Sequence, residues 1–156
     1  MSGRVGIGLD IGEKRIGVSR GDTEVKMASP LAPIVRKNFV SEAEVFAKIA
    51  EIIRENGAEF LVAGLPRNSK GEETKQSEYS RNFVEKLRET LPNGFEIYFQ
   101  DESLTSVKAE ENLRARKNFR EEMLRDGTLD SEAATIILGD FLENYEQNFR
   151  ENGGKK

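Results

Sequence analysis

The sequence predicts an α/β protein built on a mixed five-stranded sheet, with three antiparallel strands first, alternating helix and strand after them, and helices on both faces. Three observations predict it. The first 35 residues alternate apolar positions with polar or glycine positions in short runs broken by turns. Phe60-Leu61-Val62-Ala63-Gly64-Leu65 is an unbroken apolar run, as a central strand covered on both sides requires. Elsewhere apolar residues recur at the three- and four-residue spacing of amphipathic helices.

Taken in order, Val5, Ile7 and Leu9 alternate with Arg4, Gly6 and Gly8, which predicts a strand ending at Asp10 whose glycine face lies close against something else. Ile11 to Lys14 supplies a turn, Arg15 to Arg20 a second strand, Gly21-Asp22 another turn, and Val25 to Val35 a third strand interrupted by Pro30 and Pro33. Ser41 is the expected N-cap of a first helix, with Glu44 three residues on and Phe46, Ile49, Ala50 and Ile53 on one face. After the apolar strand comes a polar loop, Pro66 to Glu73, then a helix carrying Phe83, Val84, Leu87 and Leu91 that Pro92-Asn93-Gly94 terminates. Phe95 to Gln100 is the fifth strand. A charged helix is expected from Thr105 to Arg116, a weakly apolar mobile loop from Lys117 to Thr128, and a final helix with Ala134, Ile137, Leu138, Phe141, Leu142 and Tyr145 on its buried face. At 156 residues the chain fits one domain over 1–150, with 151–156 as a frayed tail.

Composition narrows the chemistry. The chain has neither cysteine nor histidine, which removes thiolate chemistry, the usual general base and the commonest transition-metal ligand. Any metal it holds should be a hard cation bound through oxygen. No secretory signal or membrane-length apolar run is visible, so a cytoplasmic protein with no membrane partner is expected. A third of the residues are charged and the net charge is −4, so a nucleic-acid partner would have to be met by local basic patches.

Three acids stand where the predicted elements would bring them together. Asp10 lies at the end of the first strand, Glu102 just past the fifth, and Asp130 before the last helix, in register with the stripe 134, 137, 141. Ligands to such sheets bind at the edge where these strands end. Gathered carboxylates repel one another and call for a counter-charge, for which a pair of magnesium or manganese ions is the natural choice, and such a pair can hydrolyse a phosphodiester. Each acid also has a plain structural reading: Asp10 as a strand-to-turn residue, Glu102 as an exposed turn acid, Asp130 as a helix cap.

Four blocks in order, LDIGEKRIGV from Leu9, AGLPRN from Ala63 with Gly71, DESLTS from Asp101, and DSEAA from Asp130 running into Ile136-Ile137-Leu138, resemble the YqgF/RuvX family of pre-16S rRNA nucleases and Holliday junction resolvases. The resemblance spans nearly the whole chain. It implies an RNase H-like fold, the acidic triad Asp10, Glu102 and Asp130 as metal ligands and catalytic groups, and Lys14 and Arg15 beside them as phosphate contacts. Two positions depart from the pattern: Ser103 stands where the family usually has Arg, and Lys70 where an acid is common.

Arg67 and Asn68, in the loop after the fourth strand, are candidate substrate contacts, and so are Arg116 and Lys117. These last two belong to a segment from Lys108 to Arg125 whose interleaved charges otherwise mean a solvated face. Ser69, Thr74 and Ser77 lack a base partner and read as loop and cap residues. The expected activity is endonucleolytic, on structured RNA at the 5′ end of the 16S rRNA precursor. The alternatives are branched DNA, whose symmetric cleavage calls for a homodimer rather than a monomer, and a non-catalytic nucleic-acid-binding module. A sugar-kinase-like phosphate loop at Asp10 conflicts with a chain that holds only one domain.

Overall fold

A computed structural model describes residues 3–103 and 105–145; the tail expected at 151–156 lies outside the described residues. Strands β1 (Val5–Ile11), β2 (Arg15–Asp22), β3 (Met27–Val35), β4 (Phe60–Pro66) and β5 (Glu96–Glu102) form one sheet in the order β3-β2-β1-β4-β5. The first three are antiparallel, and β4 and β5 run parallel to β1. Helices α1 (Glu42–Glu55) and α2 (Lys75–Arg88) cover one face, and α4 (Thr128–Glu143) covers the other with α3 (Thr105–Arg114) beside it. No helix among the described residues is long and apolar enough to cross a membrane.

Period-two alternation divides the core between the faces. Ile7, Leu9, Ile16, Val18, Leu61 and Ala63 pack against Val45, Phe46, Ile49, Phe83, Val84 and Leu87. On the opposite face Phe60, Val62 and Tyr98 meet Ile137, Leu138, Phe141 and Leu142. Each fully buried side chain of this size contributes roughly 1.5–3 kcal/mol of transfer free energy. The glycine face of β1 and β2 is what lets α4 lie on the sheet: a Cβ at Gly8 would stand 2.8 Å from the Cβ of Leu138, and one at Gly17 only 1.8 Å from the carbonyl oxygen of Asp130.

Helix boundaries follow their caps. Ser41 Oγ accepts from Glu44 N at 3.3 Å, and Thr74 and Ser77 form a reciprocal capping box at the start of α2. Strand β2 runs on through Gly21 to Asp22, where the sequence predicts a turn, because both residues stay paired with β1, and other expected boundaries move as well. Strand β3 begins at Met27 because Asp22 Oδ1 caps a turn through Glu24 N and Val25 N, and Lys26 takes a left-handed φ of 58°. Strand β5 runs two residues further than the apolar pattern, since Pro66 pairs with Glu102 and carries the ladder to that acid. Helix α3 ends at Arg114, and Asp130 sits inside the first turn of α4 rather than before it. The stretch expected as a loop folds over Glu121–Leu124 into a 3-10 turn that buries Met123.

Candidate active site

The ends of β1, β4 and β5 open on a cavity of about 210 Å³ lined by Asp10, Gly64, Arg67, Glu102, Ser106 and Ile137, among others. Asp10 reaches it from the antiparallel rung opposite Gly17, and Glu102 from the last rung of β5. Gly64, on β4 between the two, forms the hollow floor: a Cβ there would lie 3.2 Å from the Cγ of Glu102 and 2.5 Å from the Cδ1 of Ile137. The sheet thus brings Asp10 and Glu102 into one cavity. Asp130 stands at its margin rather than in the lining, with its carbonyl oxygen against Gly17 and its carboxylate Oδ2 accepting from Arg15 Nε at 2.8 Å.

The electrostatics of the two lining acids shift in the same direction. Burial pushes the Asp10 carboxyl up to about 7, helped by the negative charge of Asp130. Burial likewise pushes Glu102 up to about 8, with Asp140 and Asp10 adding repulsion and Lys108 opposing it. Glu102 is 6% exposed, and neither of its carboxylate oxygens has a hydrogen-bond partner. A buried carboxylate without a donor is costly, and such groups are expected to meet a cation or stay protonated. Among the described residues no three acids are already drawn together as a finished metal cage. Arg15 pairs with Asp130, and among the described residues neither Asp10 nor Glu102 has an ion-pair partner. An all-oxygen donor set, two orphaned Glu102 oxygens and a floor left open by Gly64 fit a hard divalent ion of the magnesium or manganese type.

The cations named from the sequence go to different places. Lys14 and Arg15 lie at the β1–β2 turn, with Arg15 on Asp130. Arg67 lines the cavity and is braced by Asp101 at 2.8 Å and Glu73 at 3.6 Å. Asn68 is consumed by its own loop, its Oδ1 accepting from Lys70 N and Glu72 N at 2.9 Å each. Arg116 is tied to the buried Glu132 of α4, and Lys117 is exposed beyond the end of α3, outside the cavity lining. Arg114 and Arg120 pair with Glu110 and Glu122, as interleaved charges on a solvated face do. Sequence reasoning missed Asp140, which acts on Glu102, and Glu132, which is buried on α4 and paired with Arg116.

A mixed sheet with this strand order, whose strand ends bring two carboxylates into one cavity, defines the class as an RNase H-like α/β protein with a carboxylate-centred site. A solved structure of the same fold is that of T. thermophilus RuvC in complex with Holliday junction substrate, with TM-score 0.53, 14% identity, and 93% of this chain and 97% of that chain covered. The chain belongs to the RuvX family, described as "Holliday junction resolvase", whose profile matches residues 4–144. Among its relatives, proteins named "Putative pre-16S rRNA nuclease" from Sulfurihydrogenibium sp. and Fusobacterium nucleatum are each 39% identical to it; 88% of this chain is aligned in both cases, with 88% of the first relative and 95% of the second.

Proposed function

We propose that this protein is a divalent-metal-dependent endonuclease that hydrolyses phosphodiester bonds in structured RNA, with the 5′ end of the 16S rRNA precursor as its substrate. One observation carries the chemistry: Asp10 and the buried, donor-less Glu102 face one cavity at the strand-end edge of the sheet, beside a third carboxylate, Asp130. The names of the relatives favour the substrate.

Asp10 and Glu102 would hold the metal from the cavity, and Asp130 would join them when its pairing with Arg15 is shared or released. Divalent ions bound there supply the charge that activates water and stabilises the leaving oxygen of a phosphodiester. The chain's own residues do the rest. Arg15 orients Asp130, Arg67 is braced by Asp101 and Glu73 at the cavity wall, and the Lys14–Arg15 pair presents positive charge to the substrate phosphates.

The family description and the junction-bound RuvC structure favour one second reading, resolution of four-way DNA junctions by a dimer. Both are tested by incubating the protein and its Asp10→Asn variant with a precursor rRNA fragment and with a four-way junction, each with Mg²⁺, Mn²⁺ or chelator. Metal-dependent cleavage of the RNA is expected, lost by about 10³-fold or more in the variant. Cleavage of the junction alone would transfer the assignment to DNA, and binding without any cleavage would leave a non-catalytic module.

A further inference from the structure

On the side of the β1–β2 turn, next to Arg15, lies a larger cleft of about 810 Å³. Its walls come from three distant segments: the turn with Lys14 and Arg15, the 3-10 turn after β3 with Arg36 and Lys37, and Arg125 ahead of α4. Two acids, Glu13 and Asp126, share the lining, and Asp126 is already engaged by the N–H and O–H of Thr128 at 2.9 and 2.6 Å. In a chain of net charge −4, this is a local excess of positive charge.

The walls are fastened while the tips are free. Arg36 N donates to Lys14 O at 3.0 Å, and the Arg36 guanidinium is held by Gly12 O at 3.0 Å and Glu42 at 3.2 Å over the ring of Phe83. Gly127, at φ 104°, sits so tightly on Pro33 that a Cβ would come within 2.6 Å of it, which fixes the approach of Arg125. Lys14, Lys37 and Arg125 are exposed and have no ion-pair partner among the described residues. Three like charges on a fixed frame, with no acid among the described residues paired to them, are a site for an anion. No aromatic side chain lines the cleft, so nothing is offered for a base to stack on, and Arg15 in its wall pairs with Asp130 at the margin of the carboxylate site.

We infer that this cleft carries the phosphodiester backbone of the substrate strand flanking the bond to be cut, with Lys14, Lys37 and Arg125 as sequence-independent phosphate contacts. The inference rests on the nuclease reading and extends the binding surface beyond the turn. Its test is equilibrium binding of a tailed RNA hairpin and a four-way DNA junction in chelator, from 50 to 400 mM KCl, by wild type and by K14A/K37A/R125A. Removing one phosphate-binding cation flattens the slope of log affinity against log salt by about 0.7–0.9, so the triple variant should flatten it by about 2–3 and raise Kd at 0.1 M salt at least roughly 10-fold. The variant K14R/K37R/R125K keeps the charges and should keep the slope. K48A/R54A/R88A removes equal charge from α1 and α2 at positions outside the cleft lining, and screening over a Debye length of about 10 Å should leave its binding close to wild type.

An unchanged slope in the cleft variant, or an equal change in the control variant outside the cleft, overturns the inference, as does a wild type that shows no salt-dependent binding. Cleavage of the same probes in Mg²⁺ separates the two claims. A wild type that binds with the expected slope but never cuts refutes the nuclease reading and leaves the cleft, whereas a cutting enzyme with an unaffected cleft variant refutes the cleft alone.

Discussion

Neutralising Asp10 or Glu102 should make the metal-free protein more stable, and the size of the effect follows from the site. With the Asp10 carboxyl raised from 3.8 to about 7 and Glu102 from 4.5 to about 8, the folded state binds these protons more tightly than the unfolded state does. For a raised carboxyl the sign is opposite to that of a salt-bridged acid: stability is fully present below about pH 4 and is lost as pH climbs through 7 and 8. At about 1.4 kcal/mol per tenfold change in proton affinity, the cost of ionised Asp10 at pH 8 has an upper bound of roughly 4 kcal/mol. Because the charge of Asp10 adds to the rise of Glu102, removing it also relaxes its neighbour, and the two effects do not add. Asp10→Asn or Glu102→Gln should therefore gain about 2 kcal/mol or more at pH 8 in chelator, a Tm rise of at least roughly 4 °C for a chain of this size. At pH 4 the gain should vanish. Thermal and urea unfolding from pH 4 to 9 measure both. A wild type equally stable at pH 5 and pH 8, or a variant less stable than wild type at pH 8, would refute the reasoning that burial and repulsion from neighbouring acids govern this site.

Other outcomes follow from the same geometry. Gly17→Ala should cost about 3 kcal/mol or more, or prevent folding, because its Cβ would fall 1.8 Å from the backbone oxygen of Asp130; denaturant midpoints decide this. Arg116→Ala leaves Glu132 buried without its cation and should destabilise by about 2–4 kcal/mol while leaving the salt dependence of nucleic-acid binding unaltered. Mg²⁺ affinity should rise steeply with pH below about 7 to 8, since Asp10 and Glu102 must lose protons to bind, and calorimetry in buffers of different ionisation enthalpy should count the released protons.

Much of this architecture was legible in the residues. The period-two alternation of Val5, Ile7 and Leu9 named both the strand and its tight glycine face, and the stripe 134, 137, 141 placed α4 on it. The caps at Ser41 and Thr74 marked helix starts because they act on neighbours three residues away. Asp10 and Glu102 could be paired from topology alone, since parallel strands end on one edge. What local pattern does not encode is the partner chosen across the fold. Arg15 and Asp130 lie 115 residues apart, and their ion pair holds the third acid at the margin of the cavity. Arg116, a candidate substrate contact in a segment of interleaved charges, is instead paired with Glu132 of α4. The basic cleft draws on three segments, each ordinary alone and positioned by contacts such as Gly127 on Pro33.

Whether Asp10, Glu102 and Asp130 form a divalent-ion site is tested most directly by soaking crystals of the protein in Mn²⁺ and measuring the anomalous scattering. A peak is predicted in the cavity bounded by Asp10 and Glu102, with the Asp130 carboxylate turned toward it, and no such peak in the Glu102→Gln variant. A peak bound elsewhere, or one that survives loss of Glu102, would contradict the assignment.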